Sequence, residues 1–577
     1  MLKLARYLKA YKKNVILGPI FKLIEAVFEL IIPVVTAKII DVGVKTGDTA
    51  YVFQMGGVML LLGVVGLASA LTCQRFAAYA SQGFGTTLRN EMFAKINSFS
   101  HAEIDRFGTS SLITRITNDV NQLQTAVAML IRLVVRAPFL AIGAVVAALL
   151  LDLKLSLIFL IAMPLIALVL YIIMSKTVPL YRLIQKKLDR ISLISRENLE
   201  GARVIRAFSK QEEEISRFEK ASQDFTRTAE RVGKISALLN PLTFAIMNLG
   251  VIAILWFGGF RVDNGELSQG QIIAFVNYMN QILLALMVVA NLVVLFTKAA
   301  ASAHRVNEVL ETESSVTEQK NNHIFQVAGA PRIEFDHVSF AYSAGADKAL
   351  NDLTFQINPG ETVGIIGGTG SGKSTLVNLI PRFYDATDGV VRVDGVDVKE
   401  YPFLALRRQI GVVPQSAVVF SGTIAENMRW AKEDATEDEM HRAIRIAQAE
   451  DFVSNLPLGL ETKITQGGKN LSGGQRQRLT IARALVGSPN ILILDDSASA
   501  LDFATDAALR RSLRKETQGM TVIMVSQRAS TVKSADKILV LDDGCLAGVG
   551  THAELLKKCP EYKEICLSQM SEEEAEK

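Results

Sequence analysis

Apolar residues are spread unevenly along this chain. Before about residue 305 they gather into runs of about 25 residues; after it, short runs alternate with polar stretches. Six of the early runs are long enough to cross a bilayer, at about 15–40, 51–80, 126–151, 154–176, 235–260 and 270–300. The gaps between them alternate in length. Residues 41–50, 151–154 and 260–269 make short connections, whereas 81–125 and 176–234 are long, polar and rich in Lys and Arg. The long gaps keep helical periodicity and carry few breakers, so they read as membrane helices continued into water. Each contains one place for the chain to reverse, Phe107-Gly108-Thr109-Ser110 and Arg206-Ala207-Phe208-Ser209. Such elbows are candidate contacts for the second half, or solvated loops.

Charge gives the runs a direction. Residues 1–14 hold Lys3, Arg6, Lys9, Lys12 and Lys13 and no acid, as a short basic helix on a membrane surface would. A cleaved signal peptide is the rival reading, but the next apolar stretch is of span length and no small-residue cleavage site is clear. Basic residues favour the cytoplasmic side, which places the N-terminus and both long gaps there. Six crossings return the chain to that side, so both termini are expected in the cytoplasm of a multi-pass protein of the cell membrane.

The spans carry polar residues. Lys22, Glu25 and Glu29 lie in the first, Arg132 and Arg136 in the third, Asn240 and Asn248 in the fifth. Asn277, Tyr278, Asn280, Gln281 and Asn291 lie in the sixth. Polar groups avoid lipid, so these line an interior cavity or join helix to helix. Glu25 and Glu29 are candidate partners for a cation.

Composition agrees with a membrane part joined to a soluble part. The 577 residues are 49% hydrophobic, with mean hydropathy +0.27. A net charge of +4 implies no nucleic-acid partner. Cys73, Cys545, Cys559 and Cys566 have no metal-ligand or redox spacing. Residues 1–310 form the expected membrane domain, 311–331 a polar linker and 332–577 an α/β domain.

The chemistry lies in that last domain. An apolar run, Val363–Ile366, reads as a buried strand. Gly367, Gly368, Thr369, Gly370, Ser371 and Gly372 follow, and Lys373, Ser374 and Thr375 open a helix. This is a Walker A loop, whose glycines let backbone N–H groups curl round phosphates. Lys373 is expected to reach the β- and γ-phosphates of ATP, and the Ser374 hydroxyl to ligate Mg²⁺. Ile491–Leu494 is a second short strand, ending in Asp495, a Walker B aspartate for the same ion. Between the two stands Leu471-Ser472-Gly473-Gly474-Gln475. Ser472 is an N-cap there, and two glycines expose the first N–H groups of another helix. One nucleotide has no evident need of two phosphate-binding helix starts.

Walker A, Gln415, LSGGQ, Walker B and Ser499-Ala500-Leu501-Asp502 stand in the order of an ABC-transporter nucleotide-binding domain, which this half resembles. The membrane half is similar to ABC exporters, notably at Arg196-Glu197-Asn198-Leu199-Glu200-Gly201-Ala202-Arg203-Val204-Ile205-Arg206-Ala207-Phe208. The resemblance covers nearly the whole chain. It looks closest to one half of a bacterial heterodimeric multidrug exporter. It implies a six-helix membrane domain fused to a P-loop domain, with ATP held between Walker A of one chain and LSGGQ of the other. It also implies that Tyr342 stacks on adenine, that Gln415 contacts Mg²⁺ and senses the elbows, and that Asp502 lies at the dimer contact.

Two positions depart from the family. The residue after the Walker B aspartate, normally the Glu that acts as general base, is Asp496, and the switch histidine is Gln527. Gln466 replaces a further acidic position before the signature. The resemblance therefore implies weak hydrolysis at this chain's own Walker site. It further implies an intact LSGGQ serving a non-identical partner half, and efflux of amphipathic small molecules, often cationic. Export of lipid or peptide, or an ATP-binding membrane sensor, are the alternatives. A soluble ABC-type ATPase acting on ribosomes or DNA is opposed by the apolar runs.

Overall fold

The computed structural model describes residues 2–318, 329–343 and 345–576. Most of the expected linker, 319–328, lies outside the described residues. The chain divides into two compact units, and the division does not follow chain order. One comprises Met1–Asn97 and Ser110–Thr312; the other comprises Ser98–Thr109 and Glu313–Lys577.

The first unit is helical. Five of its helices are long and apolar enough to cross a membrane: Thr49–Asn97, Thr109–Leu151, Leu153–Glu200, Gln211–Asp263 and Gln269–Glu311. The expected first span is also a helix, Lys12–Lys38, but Lys22, Glu25 and Glu29 break its apolar face. The count of six spans is therefore not met by length and composition alone. The basic N-terminal stretch forms a 3₁₀ helix, Leu2–Tyr11, that buries Leu4 and leads straight into Lys12–Lys38. The long gaps are helical extensions, as their periodicity predicts. The chain reverses at Gly108, whose φ of 73° ends the short helix His101–Phe107. It reverses again around Ala202–Ala207, where Ser209 has φ 53°.

Small residues let these helices approach. Ala137, Ala141, Ala144 and Ala148 are buried along one stripe of Arg136–Leu151. Gly270 lies so close to helix Lys12–Lys38 that an added Cβ would stand 2.3 Å from the Ala37 carbonyl oxygen. Polar groups in the spans act as interhelical ties. The Tyr278 hydroxyl donates to the Leu30 carbonyl at 2.8 Å, and Gln281 Nε2 to the Glu29 carbonyl at 3.0 Å. For these two residues the helix-joining reading holds.

The second unit is built on a six-stranded sheet. Its strand order is Cys545–Gly550, Lys537–Asp542, Thr362–Gly367, Thr521–Val525, Ile491–Asp495, Ile410–Val413. All but the first of these run parallel. Parallel central strands are covered on both faces, which is why they read as continuous β-branched runs rather than alternating ones. Val525 pairs with both Ile365 and Asp495, so these strand ends are level. Gly367, Asp495, Ser526 and Val413 with Gln415 beyond it thus share one carboxyl edge, where α/β sheets bind ligands. A four-stranded antiparallel sheet, in the order Leu350–Ile357, Ile333–Phe340, Asp388–Val393, Val396–Asp397, packs beside it. Phe335 and Phe355 stack there with centroids 4.6 Å apart.

A nucleotide site at the carboxyl edge of the sheet

Strand Thr362–Gly367 delivers the loop. Gly372 adopts φ 91°, and an added Cβ would meet the Ala349 carbonyl oxygen at 2.7 Å, so only glycine fits. Gly368 and Gly370 have nothing within 4 Å of an added Cβ, so this side of the loop is open. Helix Lys373–Leu379 starts directly behind it.

Lys373 folds back over its own loop. Its Nζ donates to the Gly367 carbonyl at 3.0 Å, the Gly368 carbonyl at 2.5 Å and Ser371 Oγ at 3.3 Å. Burial pushes its ammonium pKa down, against the pull of Asp496 and Asp495. Ser374 Oγ donates to Asp495 Oδ1 at 3.0 Å. Burial raises the Asp495 carboxyl above the usual range, and neighbouring Asp496 adds to that; Ser374 and Lys373 oppose. Asp496 is likewise pushed up by burial, opposed by Gln415, Arg528 and Lys373. Gln415 Nε2 lies 3.4 Å from Asp496 Oδ2. Two carboxyls thus face one buried ammonium. A hydroxyl and a carboxylate 3.0 Å apart, short of positive charge, are the oxygen donors a hard divalent cation takes. The residues fit Mg²⁺.

Asp496 has φ 43°. This left-handed conformation is uncommon outside glycine and is tolerated best by Asp and Asn. It places the Asp496 carbonyl to accept from Ser499 Oγ at 2.8 Å. Gln527 follows Ser526 just past strand Thr521–Val525. Its side chain is exposed, and its carbonyl accepts from Gln569 Nε2 at 2.7 Å.

Tyr342 is half-exposed beside the loop. Its hydroxyl shares a 2.8 Å hydrogen bond with Thr375 Oγ1, and its ring stands edge-on to Phe340 and Tyr384.

LSGGQ is engaged elsewhere. Ser472 caps helix Gly473–Val486 in a capping box, with Ser472 N donating to Gln475 Oε1 at 2.9 Å and Gln475 N to Ser472 Oγ at 3.2 Å. Arg476 holds the preceding turn through the Leu471 carbonyl at 2.8 Å. Gly473 is open, and an added Cβ at Gly474 would stand 3.3 Å from the Ala500 carbonyl oxygen. Asp502 caps helix Phe503–Glu516 by accepting from Thr505 N at 2.9 Å. Among the described residues no hydrogen bond joins Ser472–Gln475 to Lys373, Ser374 or Asp495. The chain thus brings together Gly367–Thr375, Tyr342, Gln415, Asp495 and Asp496, with none of these hydrogen bonds reaching the signature among the described residues.

The sequence offers the first elbow as a contact for the second half, but gives no sign of the side chains that dock it. Segment 98–109 belongs to the nucleotide unit, docked by side chains distant in sequence. His101 stacks on Phe383 at 4.5 Å, and Tyr384 Oη donates to Asp105 Oδ2 at 2.9 Å. Ser100 and Glu103 bind Ser314 and Ser315. Tyr384 in turn touches Tyr342, so this segment lies two side chains from Thr375. Burial pushes the His101 pKa down, with Asp105 opposing and Arg407 assisting. The docked form therefore prefers neutral imidazole. Docking is expected to be fullest above the free value of about 6.5 and to weaken as pH falls below it. Amide protection factors across 98–109, taken relative to intrinsic exchange at each pH, should fall between about pH 7 and pH 5, and His101→Phe should remove that dependence.

Comparison with known proteins agrees with this architecture. Residues 15–304 match the model of the ABC transporter transmembrane region, and 350–499 that of the ABC transporter. YfiB of Bacillus subtilis (strain 168), described as an uncharacterized ABC transporter ATP-binding protein, is 40% identical over 576 residues, covering 100% of both chains. An ATP-dependent lipid A-core flippase of Chromobacterium violaceum is 32% identical, covering 100% of this chain and 98% of its own. YheI of B. subtilis, a probable multidrug resistance ABC transporter ATP-binding/permease protein, is also 32% identical, covering 97% of this chain and 96% of its own. A bacterial Atm1-family ABC exporter solved with ATP bound shares the fold at TM-score 0.80 and 24% identity, covering 98% of this chain and 100% of that one. With a nucleotide unit and a membrane unit on one polypeptide, this chain belongs to the ABC transporter family, as an exporter-type half-transporter.

Proposed function

We propose that this chain is one half of a heterodimeric ABC exporter, moving amphipathic small molecules out across the cell membrane. The observation that carries the reading is the uneven state of its two nucleotide surfaces. Lys373, Ser374 and Asp495 form a complete binding set, yet Asp496 and Gln527 replace the expected base and switch. Ser472 and the glycines of LSGGQ are intact, and Gly473 is open, as a surface for a second chain would need. Ser374 and Asp495, with Gln415 nearby, would hold Mg²⁺, which supplies charge neutralisation at the phosphates. Tyr342 would stack on the adenine, and Asp502 would lie near the partner. This chain would bind ATP and hydrolyse it slowly, and lend its signature to the partner's stronger site.

Helix Lys12–Lys38 would be the sixth span. Its charges do not face lipid alone: Lys22 pairs with Glu25 at 2.5 Å, and Arg136 with Glu29 at 2.6 Å. Paired charges inside a helical bundle are the form in which membranes tolerate them. Both termini would then be cytoplasmic.

The multidrug relative supports small molecules as cargo. The lipid A-core flippase supports a lipid as the second reading. The test is reconstitution of this chain, alone and with its genomic neighbour, in proteoliposomes. With both halves, external ATP should load vesicles with a lipophilic dye or a labelled lipid, at the expense of ATP added on the side of the nucleotide domains. The lone chain should hydrolyse ATP slowly and move neither. Rapid turnover coupled to transport by the lone chain would overturn the heterodimer.

A further inference from the structure

Among the charged groups of the membrane unit, one set lies well within the apolar spans. Arg136 stands about ten residues, or about 15 Å, into the span that begins near residue 126. Around it are Lys22, Glu25 and Glu29 of helix Lys12–Lys38, Gln281 of helix Gln269–Glu311, and Arg132. Arg132 lies four residues before Arg136 on the same helical run.

The carboxylates are already engaged. Glu25 takes Lys22 and lies 3.9 Å from Arg136; Glu29 takes Arg136 at 2.6 Å. Neither is free for a cation, so the expectation of cationic cargo loses the side chains that supported it. Three cations face two carboxylates, and Arg132 makes no ion pair among the described residues. Two polar atoms are also left over. Arg136 Nε, a donor, and Gln281 Oε1, an acceptor, are buried without a hydrogen-bond partner. Both belong to residues that already touch Glu29, through its carboxylate and its carbonyl. Native interiors seldom leave such groups unmet, and a charged donor least of all. A π-helical turn, Leu130–Val134, carries Arg132 and ends two residues before Arg136. It packs so tightly that an added Cβ at Gly18 would lie 2.5 Å from Ile131. Turns of this kind recur at functional sites.

We propose that Arg132, Arg136 and Gln281 form a binding site for the acidic head group of an amphiphile, a phosphate or carboxylate on an apolar chain. The Arg136 Nε–H and the Arg132 guanidinium would donate to the anionic oxygens. Gln281 Oε1 would accept from a hydroxyl of the head group, and the apolar chain would lie along the spans. This names a substrate class for the exporter and rests on that reading.

The test uses the full-length chain in nanodiscs of phosphatidylcholine, without nucleotide, and tritiated dodecyl phosphate as probe. Saturable binding is expected. Arg132→Gln should weaken it at least tenfold, as should the paired change Glu29→Gln with Arg136→Gln, which leaves no carboxylate stranded. The thermal midpoint of each variant shows that it is folded. Competition by phosphatidylglycerol in the disc would mark the source as bilayer lipid; its absence would mark a free amphiphile, and either supports the site. Binding that ignores both variants would overturn it, as would preferential binding of dodecyltrimethylammonium or equal occupancy by inorganic phosphate. Arginine-dependent binding without ATP-driven movement in the reconstituted pair would leave the site standing and overturn the export reading instead.

Discussion

Lys373→Ala is expected to weaken ATP binding at this chain's Walker loop by about tenfold to 150-fold. Hydrogen bonds to a charged group are worth about 1.5–3 kcal/mol, which converts to that range. The ammonium is buried and already oriented by the Gly367 and Gly368 carbonyls and Ser371. It therefore meets the phosphates with little further ordering. It also opposes both Asp495 and Asp496, and removing it leaves Asp495 with only the Ser374 hydroxyl and Asp496 with Gln415 and Arg528. Titration of the full-length chain with a fluorescent ATP analogue and Mg²⁺ measures the effect. Lys373→Arg, which keeps charge but not shape, should recover part of the affinity. Undiminished binding in Lys373→Ala would remove this loop from the nucleotide site.

The nucleotide unit was legible in the sequence because its chemistry is local. A strand, a glycine loop and a helix start adjoin one another at Val363–Thr375. Asp495 ends an apolar run that parallel pairing requires to be apolar on both faces. The spans were legible by the same logic, the first, read at about 15–40, with the least apolarity to mark it. There Lys22, Glu25 and Glu29 lower the apolarity of a helix that is nonetheless formed, Lys12–Lys38. What stayed hidden depends on distant pairing. Nothing near Asp105 signals Tyr384, 279 residues away, so the docking of 98–109 had only a turn to announce it. Glu25 and Glu29 read as available anions because Arg136 belongs to another helix. The φ of Asp496 was equally invisible, since no local motif demands it.

That backbone angle bears on the second expectation. Asp496→Glu with Gln527→His should raise ATP hydrolysis at this chain's own site by about 10²-fold or more, measured with the partner's own site disabled. General-base catalysis contributes about 10²–10⁴-fold and depends on reach to the attacking water. Asp is one methylene shorter than Glu, and a misplacement of about 1 Å costs on the order of 10²-fold. Burial already raises the Asp496 pKa, so basicity is not what the site lacks; length is. Gln527 is exposed at the same strand edge, where a histidine would bring a cationic donor to charge developing on the phosphate. One effect opposes the gain. At φ 43° Glu is less at ease than Asp, so Asp496→Glu alone should cost some stability and recover only part of the rate. In the unmodified heterodimer the converse holds. Asp496→Ala should lower steady-state hydrolysis at least tenfold less than loss of the partner's general base, a difference of about 1.4 kcal/mol of barrier. Equal collapse from either change would mean that both sites hydrolyse, and Asp496 would then be a working base despite its reach.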